Sequence, residues 1–166
     1  LFQNQVIAII RNTTEQKRTE HVLRESEEKY RSIFENAVEG IFQTTEDGTY
    51  VSANPALAKM FGFDSADELI KELSDIGIQH YVIPEDRLRF KTLIERDNMV
   101  QGFETQVYKK DGSKIWISIN ARAVKDFSGN TLFYEGTIEN INDRKHTEDA
   151  LFESEEKYRS IVEESQ

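Results

Sequence analysis

The sequence predicts an α+β domain: a five-stranded antiparallel sheet with short helices over one face and a connector helix on each flank. Three observations carry this expectation. Short β-rich runs lie on both sides of a helix-rich middle. They are joined by turn sequences short enough for antiparallel hairpins, Glu46-Asp47-Gly48, Lys110-Asp111-Gly112-Ser113 and Asp126-Phe127-Ser128-Gly129-Asn130. The phrase ESEEKYRSI occurs at 25–33 and again at 153–161, 128 positions downstream (25 to 153), so a helix of one sequence brackets the domain.

The repeat extends upstream of that phrase. Ile10, Asn12, Lys17, Thr19, Glu20 and Leu23 recur as Ile138, Asn140, Lys145, Thr147, Glu148 and Leu151. A period of this length is that of a whole domain and not of a solenoid turn. The expected organisation is the last strand of a preceding module at 1–13, a connector helix at 14–37, one complete domain at 38–143, and at 144–166 an exit helix that begins a further module.

Each element has a local cause. Residues 1–13 read as a strand, because Val6–Ile10 is a β-branched apolar run. Residues 14–37 contain neither Gly nor Pro and are rich in helix formers. Val22, Ser26, Tyr30 and Ile33 share one face of that helix, a thin seam suited to helical pairing rather than to a buried core. Strands are expected at Ile41–Thr45 and Thr49–Ala53 around the Asp47-Gly48 turn. Asn54-Pro55 then caps and starts a helix that stops near Gly62. Ser65 to Glu68 forms a capping box for a second short helix, and 75–83 is an apolar connector. Pro84 opens a further helix with Glu85 and Asp86 in its first turn. Strands follow at Gly102–Lys109, Lys114–Lys125 and Thr131–Ile141. In the middle one, Ile115, Ile117, Ile119, Ala121 and Ala123 share one face, and Lys114, Trp116, Ser118, Asn120 and Arg122 the other. The lone Trp116 on a polar face predicts a cover, from the leading helix or a partner subunit.

The composition excludes several functions. With 37% hydrophobic and 31% charged residues the chain is ordinary globular material, and no run approaches the ~18 apolar residues of a membrane span. A net charge of −10 without a basic block argues against nucleic-acid binding. The absence of cysteine removes disulfides, thiolate metal sites and cysteine nucleophiles. It suits a cytoplasmic location, and membrane attachment of a longer parent stays open. There is no Ser/His/Asp set, phosphate loop or metal-ligand spacing, so no enzymatic activity and no metal are expected of this segment.

The ordered set EKYRSIFENAVEGIF, Asp47-Gly48 with TYVSANPAL and FGF, IPEDR, KKDGSKIWISINARAV and FYEGTIENINDRK resembles the PAS family of sensor modules with its C-terminal PAC portion, over residues 28–145. The resemblance implies strand order 2-1-5-4-3, a sheet cupping a small apolar pocket, and helical connectors that dimerise and relay signals. It further implies a homodimeric parent with neighbouring PAS copies and an output domain, most often a histidine kinase. Pocket candidates are Ile41, Asn54, Phe61, Ile117, Ile119 and Ala121; the Ile117, Ile119 and Ala121 face suits a ligand pocket and a filled core equally. The dimer or connector face is Val22, Tyr30, Ile33 and Trp116. In the family, an acid at the end of the last strand pairs with a downstream base and ties the core to the exit helix. The corresponding joint here is Asn140, Ile141, Asn142, Asp143, Arg144 and Lys145. Its first acid is replaced by Asn, so a hydrogen bond without charge assistance is expected in place of the ion pair.

Other candidates have plainer readings. Asn54 could orient a ligand, but helix capping accounts for it. His80 suits haem iron in type, but the following helix, where haem-binding relatives place the ligand, has no His. Trp116 could stack on a flavin, but packing against a flanking helix is the simpler role. His21 and His146 lie on connector helices outside any kinase His box. No cofactor is firmly expected, and the ligand, if there is one, is an unidentified small molecule. The expected function is a sensing and dimerisation module coupling ligand or partner state to an output domain. The alternatives are a ligand-free spacer in a PAS array and, more remotely, a haem or flavin redox or light sensor.

Overall fold

The computed structural model describes residues 2–163, with side chains from 14 to 162. It divides into two units, Leu1–Asn36 and Ala37–Gln166. The first is the helix α1, Phe2–Asn36. Its exposed surface carries i,i+4 pairs such as Arg24–Glu28 at 2.9 Å. Residues 2–13 are helical and not the strand expected from Val6–Ile10. A β-branched run without a neighbouring strand leaves its backbone groups unpaired, whereas a helix pairs them locally.

The second unit holds the sheet and its cover. Its elements are β1 (Gly40–Thr44), β2 (Tyr50–Ala53), α2 (Pro55–Phe61), α3 (Ala66–Glu72), α4 (Ile76–Gln79), α5 (Pro84–Asp97), β3 (Met99–Tyr108), β4 (Lys114–Lys125), β5 (Thr131–Asn140) and α6 (Asn142–Glu163). The strands form one antiparallel sheet ordered β2-β1-β5-β4-β3, so the first and last strands are central neighbours. At the β4–β5 contact, a Cβ on Gly136 would lie 1.9 Å from the Asn120 carbonyl oxygen, so only glycine fits there.

The turns and caps follow local chemistry. Gly48, at φ +98, closes the β1–β2 hairpin. Asn54 Oδ1 accepts from Leu57 N at 3.0 Å, and αL Gly62 ends α2. Ser65 Oγ accepts from Glu68 N at 3.1 Å, while Glu68 answers at Asp64 N, one residue beyond the usual capping box. The connector expected at 75–83 contains the one-turn helix α4, capped by Asp75. It then pairs with the edge of β3: Val82 N donates to Gln106 O at 3.1 Å, and Tyr108 N to His80 O at 2.8 Å. This covers part of an otherwise open sheet edge.

The inner face of the sheet and the helices α2 to α5 enclose a single core, with Leu57, Phe61, Leu69, Ile94, Val107 and Ile117 sealed from solvent. On β4 the inward residues Ile115, Ile117, Ile119 and Ala121 alternate with the outward ones as the period-two pattern requires. Among the described residues, no helix is long and apolar enough to cross a membrane.

Candidate functional site

Between the inner face of the sheet and α4–α5 lies a cavity of about 20 Å³, room for a water or a molecule of a few heavy atoms. One side is apolar, with Phe42, Ile76, Phe90, Val107, Ile117, Ile119 and Ile138. The other is polar, with Thr44, Tyr50, His80, Tyr81 and Arg87. Ile117 and Ile119 are therefore lining residues, and the other four pocket candidates stand elsewhere. Ile41 points to the opposite face, because odd and even positions of β1 alternate about the sheet. Asn54 is fully buried but committed to the backbone: besides capping α2, its Oδ1 accepts from Ile41 N at 2.8 Å and its Nδ2 donates to Glu39 O at 3.0 Å. Phe61 packs behind the cavity, edge-on to His80 with ring centroids 4.4 Å apart. Ala121 lies further along β4, paired with Val100 of β3 and Gly136 of β5.

The polar side brings together His80, read from sequence only as a haem-type candidate, and groups that the sequence did not single out, Arg87 above all. His80 is 2% exposed, and neither ring nitrogen has a hydrogen-bond partner. Burial lowers its pKa to about 4, opposed in part by the nearby Tyr108 backbone, so the imidazole is neutral at pH 7. Among the described residues, no group of three or more His, Cys, Asp or Glu is placed to hold a metal. Arg87 is 8% exposed, and its Nη2 is buried without a partner. Its guanidinium lies beside the Tyr81 hydroxyl, whose pKa rises through burial, with Arg87 acting against the rise. Burial likewise pushes the Tyr50 phenol far upward. The signal for Arg87 is its spacing: with Phe90 and Ile94 it forms the i, i+3, i+7 face of α5 that is buried, while the apolar Leu88 is 67% exposed. Next to it, Asp86 Oδ2 accepts from Thr105 Oγ1 at 2.7 Å, fastening α5 to β3.

The second functional region is the joint between the sheet and α6. Ile141 is buried, and its N–H donates to Trp116 O at 2.9 Å. Asn142 Oδ1 accepts from Trp116 N at 2.8 Å, and Asn140 Oδ1 accepts from Asn142 N at 3.0 Å. Both asparagines thus make neutral backbone hydrogen bonds. The charge comes from another strand. Glu104 on β3 receives Arg144 at 2.9 Å and Lys145 at 2.6 Å. Lys145 first, then Arg144, hold the Glu104 carboxyl below the usual carboxylate range. Glu148 completes the cluster, 3.4 Å from Arg144 and 3.3 Å from Lys145. Asp143 is exposed in the first turn of α6. The cover of Trp116 comes from α6, whose Lys145 Nζ lies 5.1 Å from the ring centre.

The connector residues Val22, Tyr30 and Ile33 are 59%, 63% and 61% exposed, and Tyr30 stacks on Phe34 at 5.8 Å. His21 and His146 lie on exposed helical surface.

Comparison with known proteins agrees with this geometry. The profile of the PAS domain matches residues 38–143. Among curated proteins, the chain is 28% identical over 158 residues to sporulation kinase E of Bacillus subtilis (strain 168), covering 93% of this chain and 20% of that protein. It is 26% identical over 128 residues to the probable diguanylate cyclase DgcE of Escherichia coli (strain K12), covering 75% of this chain and 11% of that protein. The chain thus spans a fifth or less of the length of these two relatives. Among solved structures, a sensory box histidine kinase/response regulator from Burkholderia thailandensis E264 superposes with a TM-score of 0.60 at 25% identity, covering 80% of this chain and 98% of that one.

Proposed function

The chain belongs to the PAS domain family of sensory modules, and we propose that it couples the state of its internal cavity to a downstream output domain through α6. The observation that carries this reading is the proximity of cavity and joint on two strands. On β4, Ile117 lines the cavity while its neighbour Trp116 holds Ile141 and Asn142 through its own backbone. On β3, Val107 lines the cavity and Glu104 binds Arg144 and Lys145. A ligand that shifts these strands by a fraction of an ångström moves the anchors of α6 with them, provided that it binds the two arrangements unequally.

In this reading the segment is not itself an enzyme. It belongs to a larger cytoplasmic signalling protein with further PAS copies, as the repeated helix suggests, and with a histidine kinase as output. The related kinase and cyclase suggest that one such input module serves different outputs. The exposed stripe of Val22, Tyr30 and Ile33, and its repeat at Tyr158 and Ile161, serve pairing with a second copy. Assay of the full-length parent carrying Glu104→Gln or Asn142→Ala tests the coupling. A change in basal output supports it, and unaltered output of a folded parent contradicts it.

A specific observation favours a second reading. A cavity of about 20 Å³ is small, and a module that serves only as a ligand-free spacer needs no more. Under that reading both variants leave output unchanged and no small molecule binds saturably.

A further inference from the structure

We propose that the cavity takes a small carboxylate, of formate to acetate size, and that Arg87 is the charge that recognises it. The proposal rests on the reading of the cavity as the input site and names the chemical class of the input. Arg87 is more than nine-tenths buried, lines the cavity and has a buried Nη2 without a partner. Among the described residues, no carboxylate lies within 4.0 Å of its guanidinium. The nearest acid in sequence, Asp86, is turned away to Thr105 and to Arg89 at 3.3 Å. Glu46 and Glu95 act on the neighbouring Tyr134 together with Arg87, but neither forms an ion pair with it.

A buried guanidinium without a counter-charge is costly, and an anion relieves that cost directly. The planar fork of an arginine matches the two oxygens of a carboxylate better than it matches a spherical ion. Around it stand groups suited to the rest of such a molecule. The neutral His80 ring has one donor and one acceptor nitrogen, both unpartnered. The apolar wall of Ile117 and Ile119 accepts a methyl group. The volume limits the occupant to a few heavy atoms, which excludes di- and tricarboxylates and nucleotides.

The test uses the purified chain with sodium formate and sodium acetate. Sodium chloride at matched ionic strength and ethanol serve as the anionic and neutral comparisons. Thermal shift and calorimetry should show saturable binding of at least one carboxylate. Affinity should be at least tenfold weaker in Arg87→Gln and unchanged in Arg89→Gln, its exposed neighbour. The proposal is overturned if neither carboxylate binds saturably, or if folded Arg87→Gln binds as the wild type does. Should Arg87→Gln fail to fold, methyl NMR of the wild type decides. Saturable shifts at Ile117 and Ile119 support the proposal, and shifts confined to exposed methyl groups such as those of Val51 and Leu132 mean an adventitious ion only and overturn it. Binding of ethanol alone overturns the role of Arg87 while leaving the sensing reading intact. Unaltered output in the Glu104→Gln parent removes the sensing reading while leaving carboxylate binding intact.

Discussion

Glu104 and Lys145, one on the third strand and one on the exit helix, meet at 2.6 Å across 41 residues of sequence (104 to 145). Arg144 joins the same carboxylate at 2.9 Å. Asn140 at the end of the last strand carries no charge, and the carboxylate that meets both bases of the exit helix stands on another strand. The Glu104 carboxyl should therefore titrate below its ordinary value of 4.5, held down first by Lys145 and then by Arg144. A depressed carboxylate stabilises the fold above its unfolded pKa, and that contribution is lost as pH falls through the folded value. Carboxyl NMR titration should show the Glu104 pKa rising toward 4.5 in Lys145→Met, with a smaller change in Glu148→Gln. Because these side chains are largely solvated, each pair contributes little to stability.

The asparagines of the joint should matter through the backbone. Asn142→Ala leaves the half-buried Trp116 N–H without its acceptor. The expected cost is about 1–2 kcal/mol in urea unfolding. Asn142→Asp keeps an acceptor oxygen and should cost less. Asn140→Ala frees only the exposed end of α6 and should cost about 1 kcal/mol or less.

His80 gives the core a dependence on pH. Its pKa is lowered by burial from 6.5 to about 4. Between these values the unfolded chain binds more protons than the folded one, so stability falls as pH drops through the window. The full loss is about 3 kcal/mol from a shift of this size. Urea midpoints at pH 7, 5.5 and 4 should show this loss in the wild type and not in His80→Leu.

Two glycines should respond in opposite degrees to the same change. Gly136→Ala places a methyl against the Asn120 backbone, where neither strand can give way, and should prevent folding or lower stability by several kcal/mol. Gly112→Ala meets nothing within 4 Å and is penalised only by its φ of +80, about 1 kcal/mol. Circular dichroism melts of the two variants make the comparison.

The fold was largely legible because its signals are local. The alternation of β4, the Asn54 and Ser65 caps and the Gly48 turn each fix an element from neighbouring residues, and their order resembles one family closely. The error at residues 2–13 arose where the local signal needs a partner: Val6–Ile10 is strand-like only beside another strand, and α1 supplies none. The site was legible in part. Ile117 and Ile119 follow from alternation alone. Ile41 was misplaced by one step of the same alternation, a shift that turns a side chain to the other face of the sheet. Arg87 escaped notice because a buried unpaired cation contradicts the expectation that polar residues face water, and His80, weighed in the sequence only against haem ligation, gave no local sign that its ring would line a cavity unpartnered. Glu104 escaped because its partners lie 40 and more residues away and only the sheet brings them together.

The most direct test of the coupling is amide hydrogen exchange along α6 in the wild type and in Glu104→Gln. The account predicts that residues 142–148 exchange at least tenfold faster in the variant, while Ile117 to Ala121 of β4 stay protected at the wild-type level. Unchanged exchange in 142–148 would contradict it, because the helix would then be held to the sheet without the charge that Glu104 supplies.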